Sequence, residues 1–440
     1  MRTHSKRREL PITTRMAYFI YQIAYHLVLP LSGLFALWRA RKEPGHLYHM
    51  RHRWGLGPVG TKGAVWIYAA SLGEMNAARP LVQEFLNDGH HVLLTHLSPA
   101  GFDRGVQQFG SNPRVTHLYA PFDCFWTVQL FLRRAKPAFG IVLEIEIWPA
   151  MLIEADRLSI PMFMANGNLL MNRMKRLQTW RRHGLYLYRL FDHIFTRSQD
   201  YVERYIATGV RPENVSITGE LRFDTKPDSA LLDNGSDLRQ TWNAQFTFMI
   251  ASSVKSEETV LIKIVKDFLQ AAPQARVIWV PRSPQRFDSI SKLLQSYKIP
   301  YTRRSQITDK IQYKSKVLLG DTLGEMDFYL GLADVVFVGA SFTDMGGHNI
   351  IEPLSAGCPV VMGPSTYGVD FIAKPAREAG VFETFDTPQA MCSYLLALNK
   401  DLSSVQITQK KARAFASLNS DTAKLIVRSI KQRDGYINGL

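Results

Sequence analysis

The chain of 440 residues alternates short apolar runs with segments long enough for a helix, and it does so twice. AVWIYAAS (64–71), HVLLTHLS (91–98), VTHLYAPFD (115–123), FGIVLEIEIW (139–148), PMFMANGN (161–168), HIFTRSQ (193–199) and VSITGE (215–220) read as strands, with helices near 76–88, 124–135 and 150–158. Such runs, separated by helices, mark a parallel sheet covered on both faces. The alternation stops over 225–243, TKPDSALLDNGSDLRQTWN, whose Pro, Gly, Asn and Asp predict a linker. It resumes with TFMIASS (247–253), a helix at 257–271, ARVIWVPRSP (275–284), a helix at 286–297, VLLG (317–320) and ADVVFVGAS (333–341). The fold class is therefore α/β, two consecutive units, with helices at 387–398 and 405–433 closing the chain. Ligands in such sheets bind beyond the carboxyl ends of the strands.

The formal net charge of +15 favours an anionic partner: a phosphorylated small molecule, nucleic acid or an acidic membrane surface. No nucleic-acid-binding motif accompanies the basic groups. These concentrate at Arg2, Lys6, Arg7, Arg8, Arg15, Arg39, Arg41, Lys42, Arg51 and Arg53, and again at Lys175, Arg176, Arg181, Arg182 and Arg189. The three cysteines have no paired spacing, which argues against a disulfide scaffold or a zinc site. Residues 16–38 form an apolar run interrupted by Gln22, His26 and Pro30, about long enough to span a bilayer and bordered by Tyr18, Tyr21, Tyr25 and Trp38. A retained anchor is expected, either spanning or lying in the interface. Residues 41–63, basic and rich in Gly and Pro, read as a surface connection.

Several residues at strand ends have the right chemistry for a site. Glu74 follows the first strand and precedes a helix, where a carboxylate either accepts a proton or balances the positive helix end. Glu144 and Glu146 lie two apart on the strand 139–148, so they face one side with Trp148. They need partners, either a polar site or arginines. Arg222 in TGELRFD and Arg282 in VPRSP are guanidiniums at strand ends, suited to phosphate or carboxylate. In GDTLGEM (320–326), Gly324 can present N–H groups. In GGHNIIEP, Gly346 and Gly347 open a helix whose first turn holds Glu352, either an anion site or a tight turn. No histidine cluster has metal-ligand spacing, and no GxGxxG or Walker sequence is present.

Together, ASLGEMNAARPLV, LEIEIWPAML, TGELRFD, IASS, WVPRSPQRF, GDTLGEM and FVGASF…GGHNIIEP…GCPVVMGP resemble, in order, the 3-deoxy-D-manno-octulosonic acid (Kdo) transferases of glycosyltransferase family 30. The resemblance covers roughly residues 15 to 400. It implies a GT-B fold, two Rossmann-like domains facing a cleft, with a basic N-terminus and membrane-anchor helix at 1–40. An acceptor domain at 41–225, a linker at 226–243 and a nucleotide domain at 244–440 would follow. It implies a CMP-Kdo donor, a phosphorylated lipid A precursor (lipid IV-A) as acceptor, no metal, inversion at the anomeric centre, and attachment to the cytoplasmic face of the anionic inner membrane. Carried over, Glu74 is the general base, and Glu144 and Arg222 stabilise the transition state. Pro281, Arg282, Leu323, Gly324, Glu325, Asn349, Ile350, Ile351 and Glu352 contact CMP. The sequence departs from the family at Arg222, where lysine is usual, at Val254 and Lys255, where His and an acid are usual, and at Asn168, where arginine is usual. These departures leave room for a paralogue with another acceptor or CMP-linked keto acid, or for a non-catalytic CMP- or lipid-binding relative.

Overall fold

The computed structural model describes residues 10–39, 41, 49–171, 174, 182–307 and 315–433. Of the basic groups named above, Arg2, Lys6, Arg7, Arg8, Lys42, Lys175, Arg176 and Arg181 lie outside the described residues. The chain forms two compact units: one runs to Thr225 and takes up the chain again from Ser420, the other comprises Lys226–Asn419.

The first unit holds parallel strands β1 (Val65–Tyr68), β2 (Val92–His96), β3 (Val115–Tyr119), β4 (Phe139–Leu143), β5 (Met162–Gly167), β6 (His193–Thr196) and β7 (Val215–Ile217), in the order β3-β2-β1-β4-β5-β6-β7. The second holds β8 (Thr247–Ser253), β9 (Arg276–Pro281), β10 (Tyr301–Arg303), β11 (Val317–Leu319), β12 (Val335–Val338), β13 (Val360–Met362) and β14 (Phe382–Thr384), in the order β10-β11-β9-β8-β12-β13-β14. In the first sheet the chain winds outward from β1 to β3, then restarts beside β1 and winds the other way; in the second, β11 inserts between β9 and β10 before the chain restarts at β12 beside β8. This puts a crevice at the carboxyl ends of β1 and β4 in one unit, and of β8 and β12 in the other. Val65, Ile67, Phe139 and Ile141 pack under the helix Leu72–Asn87 in the first core. Phe248, Ile250, Val277 and Trp279 pack under Glu258–Ala271 in the second.

Four expectations need correction. The stretch read as a linker at 226–243 carries a helix, Ser229–Thr241, capped by Asp228, whose carboxylate accepts the N–H groups of Ala230 and Leu231. Its glycine is a contact surface: a Cβ on Gly235 would lie 2.1 Å from the Phe328 carbonyl oxygen of the helix Met326–Leu332, and one on Gly331 would lie 2.2 Å from the Leu232 oxygen. Trp242 is fully buried and donates its indole N–H to the Ser315 carbonyl.

The helix read at 405–433 is two, Leu402–Leu418 and Thr422–Gln432, divided by Asp421 in the left-handed region. The second belongs to the first unit, not to the nucleotide domain that was expected to run to 440. Ala423, Ile426, Val427 and Ile430 fall at helical spacing into the first core, and Asp224 caps the helix through the N–H groups of Thr422 (3.1 Å) and Ala423 (2.6 Å).

The strand read to Trp148 ends at Leu143. Glu144 turns the chain with φ of 58°, so Glu144 and Glu146 do not alternate along a strand. The segment read as a surface connection is partly packed: His52, Gly55 and Gly57 are buried, and Arg134 donates to the Gly55 and Gly57 carbonyls.

The apolar N-terminal run is the helix Ile12–Arg39, and among the described residues no helix is long and apolar enough to cross a membrane. One face meets the body through polar tips. Tyr21 donates to Asp123 (2.9 Å), Gln22 donates to the Asp123 carbonyl (3.0 Å) and accepts from the Phe125 N–H (3.0 Å), and Tyr18 donates to Glu154 (3.2 Å). The opposite stripe, Ile12, Met16, Phe19, Ile20, Ile23, Leu27, Val28 and Leu31, is exposed.

Candidate active site

At the carboxyl edge of the first sheet the chain leaves β1 through Ala69, Ala70 and Ser71 into the helix Leu72–Asn87. Ser71 and Glu74 form a capping box. The Ser71 hydroxyl accepts the Glu74 N–H (3.3 Å), and the Glu74 carboxylate accepts the N–H groups of Ser71 (3.1 Å) and Ala70 (2.5 Å). Of the two sequence readings of Glu74, the helix cap is the one the geometry displays, made by a side chain that is itself buried. Burial, with Glu146 and then Glu144 adding their negative charge, pushes its pKa up to about 8 in spite of the two backbone donors.

Beside it the turn after β4 presents Glu144 and Glu146. The Trp148 indole donates to Glu146 (2.8 Å). Glu144 enters a network with Arg222 after β7 and with three residues that sequence reasoning missed: Arg197 after β6, Asn166 in β5 and Glu220 after β7. Arg197 pairs with Glu144 (3.1 Å) and Glu220 (2.8 Å), and Arg222 pairs with both carboxylates. The Asn166 amide donates to Glu220 (2.8 Å) and accepts the Leu221 N–H (3.3 Å). Burial alone would raise the Glu144 pKa, but Arg197 and Arg222 outweigh it and hold this carboxyl below its usual range. Two neighbouring acids are thus driven apart, Glu74 toward the neutral form and Glu144 toward the ion. Asn168, just past β5, reaches this turn through its N–H, bonded to the Glu144 carbonyl (3.3 Å). The signal for Arg197 was available: TRSQ puts an arginine directly after an apolar strand, as VPRSP does for Arg282.

In the second unit the expected residues follow β9, β11 and β12, all at the carboxyl edge. Pro281 ends β9 and is buried. Arg282 is exposed, and among the described residues no carboxylate pairs with it. His348 lies close enough that burial and then the Arg282 charge lower its pKa. Leu323 is exposed at a turn where Gly324 takes φ of 81°. Glu325 accepts from Arg304 (2.8 Å) and from the Thr322 hydroxyl. Asn349 caps the next helix by accepting the Ile351 N–H (3.0 Å). Ile350 and Ile351 bury their side chains, so they can offer a ligand only backbone, and Glu352 is exposed.

Of the two readings of the glycine pair, the geometry fits the tight turn. The helix behind it, Ile351–Ser355, is a single short turn, and the glycine N–H groups are already used. Gly346 donates to the Ser365 hydroxyl (3.0 Å) and Gly347 to the Ala340 carbonyl (2.9 Å). Glycine is required there because φ is 80° and 76° and because a Cβ on Gly347 would lie 2.0 Å from the Met362 methyl. Below this loop the fully buried Glu257 carboxylate accepts the N–H groups of Val254 (3.0 Å), Ala340 (2.8 Å) and Ser341 (3.4 Å), tying the end of β12 to the turn after β8. Lys255, on that turn, is exposed. Among the described residues no group of His, Cys, Asp or Glu is placed to hold a metal ion.

Residues 48–225 match the family model described as 3-Deoxy-D-manno-octulosonic-acid transferase (kdotransferase). The chain is 30% identical over 377 residues to the 3-deoxy-D-manno-octulosonic acid transferase of Haemophilus influenzae, covering 84% of this chain and 86% of that one. The chain belongs to the 3-deoxy-D-manno-octulosonic acid transferase family. It is also 29% identical over 421 residues to the Bordetella pertussis transferase, across 92% of this chain and 96% of that one. Membership makes the chain a glycosyltransferase. Its GT-B architecture is shared with UDP-GlcNAc 2-epimerase from Neisseria meningitidis, at a TM-score of 0.59 and 14% identity over 84% of this chain and all of that one. A glycosyltransferase from Rickettsia africae is similar, at a TM-score of 0.58 and 10% identity over 84% of this chain and 98% of that one. These two likenesses concern the fold alone. Within the transferase, the lysine-to-arginine departure at Arg222 is accommodated by the two carboxylates it bridges.

Proposed function

We propose that the chain moves Kdo from CMP-Kdo to a hydroxyl of a phosphorylated lipid A precursor, with inversion. The observation that carries this reading is Glu74, a buried carboxyl with a pKa near 8 at the mouth of the first sheet, beside an ion network. A base working near neutral pH needs such a value. Its ionised form takes the proton of the attacking hydroxyl. The oxygen then forms the new bond to the anomeric carbon as the bond to CMP breaks, and the pair of electrons leaves on the phosphate. The guanidiniums of Arg197 and Arg222, already half-committed to Glu144 and Glu220, are poised to balance the substrate's own carboxylate. Arg282 supports the charge on the leaving phosphate, and Glu352 takes the ribose hydroxyls. No resident metal enters this scheme, and activity unchanged by EDTA is the expected result.

The exposed apolar stripe of the helix Ile12–Arg39 fits a helix lying in the membrane interface and holding the transferase against the anionic inner face. A second reading, transfer to a different acceptor, is favoured by Asn168, which adjoins the Glu144 turn through its N–H and stands where the family has an arginine. Incubation of the purified protein with CMP-Kdo and a panel of acceptors, followed by mass spectrometry, tests both. Product on the phosphorylated lipid A precursor supports the first, product on another sugar only supports the second, and release of CMP without any glycoside contradicts both.

A further inference from the structure

The first unit contains a second polar feature next to Glu74 that the scheme above does not use. A cavity of about 240 Å³ is enclosed by Arg53, Tyr25, Trp66, Tyr68, Leu97 and Trp148. Its walls are mainly apolar, with aromatic rings from Tyr25, Trp66, Tyr68, Phe122 and Trp148, and its size is that of one sugar ring with a charged substituent. Arg53 enters from the turn that ends the short helix Met50–Arg53 and lies over the Tyr119 ring, 4.5 Å from its centre. It donates to the carbonyls of Leu97 (2.5 Å) and Ala120 (3.4 Å). Among the described residues no carboxylate forms an ion pair with it, and its electrostatic neighbours are tyrosines, Tyr68, Tyr119 and Tyr25. A half-buried guanidinium that faces carbonyls and rings and no counter-charge is completed by an anion. The one acid on the cavity wall, Asp123, is occupied from behind. Its oxygens accept the N–H groups of Ala150 (3.0 Å) and Met151 (2.9 Å) and the Tyr21 hydroxyl (2.9 Å).

The cavity is continuous with the chemistry. Trp148 lines it and holds Glu146, and Tyr68 lines it while the charges of Glu146 and Glu74 both act on its hydroxyl. Arg53, Glu146 and Glu74 all act on the one Tyr68 side chain, which puts the cavity beside the Glu74 carboxylate. Tyr and Trp offer an anionic ligand an apolar face with a polar tip, and the guanidinium offers a planar fork matched to phosphate or carboxylate.

We propose that this cavity is an oxyanion subsite of the acceptor, in which Arg53 grips a phosphate or carboxylate carried by the sugar whose neighbouring hydroxyl is glycosylated, an assignment that rests on the acceptor reading given above. The site makes Arg53 a specificity-determining residue and not a catalytic one.

Ligand-observed NMR on the full-length protein tests it with three soluble probes: N-acetylglucosamine 1-phosphate, glucuronic acid and neutral N-acetylglucosamine. Wild type is expected to bind at least one anionic probe about tenfold or more tighter than the neutral one, as a charge-assisted contact dictates. The phosphate and carboxylate arms identify which oxyanion the site takes. Arg53→Gln, which keeps bulk and a donor, is expected to erase the preference. Arg53→Lys, which keeps the charge and loses the fork, is expected to retain part of it, and CMP binding is expected to match wild type in both as the check on folding. Equal affinity for all three probes in wild type, or an undiminished preference in Arg53→Gln, overturns the subsite. A normal preference lost in Arg53→Gln, together with no transfer of Kdo to any phosphorylated acceptor, upholds the subsite and overturns the reading of the reaction.

Discussion

The two units are both seven-stranded parallel sheets that reverse direction beside their first strand, yet they build their edges from different material. At the first sheet the carboxyl edge carries ionisable side chains, Glu74, Glu144, Glu146, Glu220, Arg197 and Arg222, and the pKa values of Glu74 and Glu144 are driven apart. At the second it is built from backbone. Ser252 and Ala340 take φ of 58° and 63°, two glycines take left-handed turns, and a buried carboxylate, Glu257, is spent on holding N–H groups in place. Groups that titrate belong where a proton moves, and a rigid backbone cradle belongs where a ligand is held without being changed. One doubly wound architecture serves both because the crevice comes from the reversal beside the first strand, while the chemistry comes from the few residues just past each strand.

The strongest way to break that contrast is Glu74→Gln. Loss of the base is expected to lower kcat by about 10²- to 10⁴-fold, while the helix cap keeps its acceptor oxygen, so CMP binding and melting temperature should stay near wild type. Rates near wild type would remove the first unit's claim to the chemistry.

Arg197→Met comes next. It strips a buried cation from two carboxylates, and breaking such a pair costs about 3–5 kcal/mol. Chemical denaturation is expected to show that loss, with activity falling alongside. A loss under about 1 kcal/mol, the range of exposed pairs, would mean the network is surface decoration.

The pH dependence sharpens the same side. The folded pKa of Glu74, about 8, lies above its unfolded value. Its stabilising share is therefore complete below the unfolded pKa and is lost as pH rises through 8, whereas the active, ionised fraction grows over the same window. The kcat/KM profile of the free enzyme is expected to rise with a midpoint near 8, and Glu146→Gln, by deleting the like charge, should move that limb to lower pH.

For the second unit, Gly347→Ala combines a left-handed φ with a clash on Met362 and is expected to cost about 1–3 kcal/mol. It should weaken CMP binding in calorimetry and leave the Glu74 pH limb in place. The smallest effect is reserved for Arg222→Lys, which restores the usual family residue. It keeps the charge on a partly exposed side chain, so stability should change by under about 1 kcal/mol.

Much of this was legible because buried parallel strands write themselves as apolar runs ended by small or polar residues. VWIY, VLLTH and VVFV need no partner to be read, and strand ends point to the site. What escaped depends on distant residues. Gly235 reads as a breaker until the helix carrying Phe328 and Gly331 lies against it. Nothing local says that Ala423, Ile426, Val427 and Ile430 belong to the first core, since the acid that caps their helix, Asp224, is about two hundred residues away. Glu144 kept its expected place but not its expected geometry, because a left-handed turn by a glutamate has no sequence signature and is held by the arginines around it.

The most direct test is a paired measurement of Kdo transfer and CMP affinity in wild type and Glu74→Gln across pH 6 to 9. The account predicts unchanged CMP affinity in both proteins, a wild-type rate that climbs toward a midpoint near 8, and a flat residual rate at least about a hundredfold lower in the variant. A variant whose rate climbs with the same midpoint and amplitude as wild type would place the base elsewhere and contradict the account.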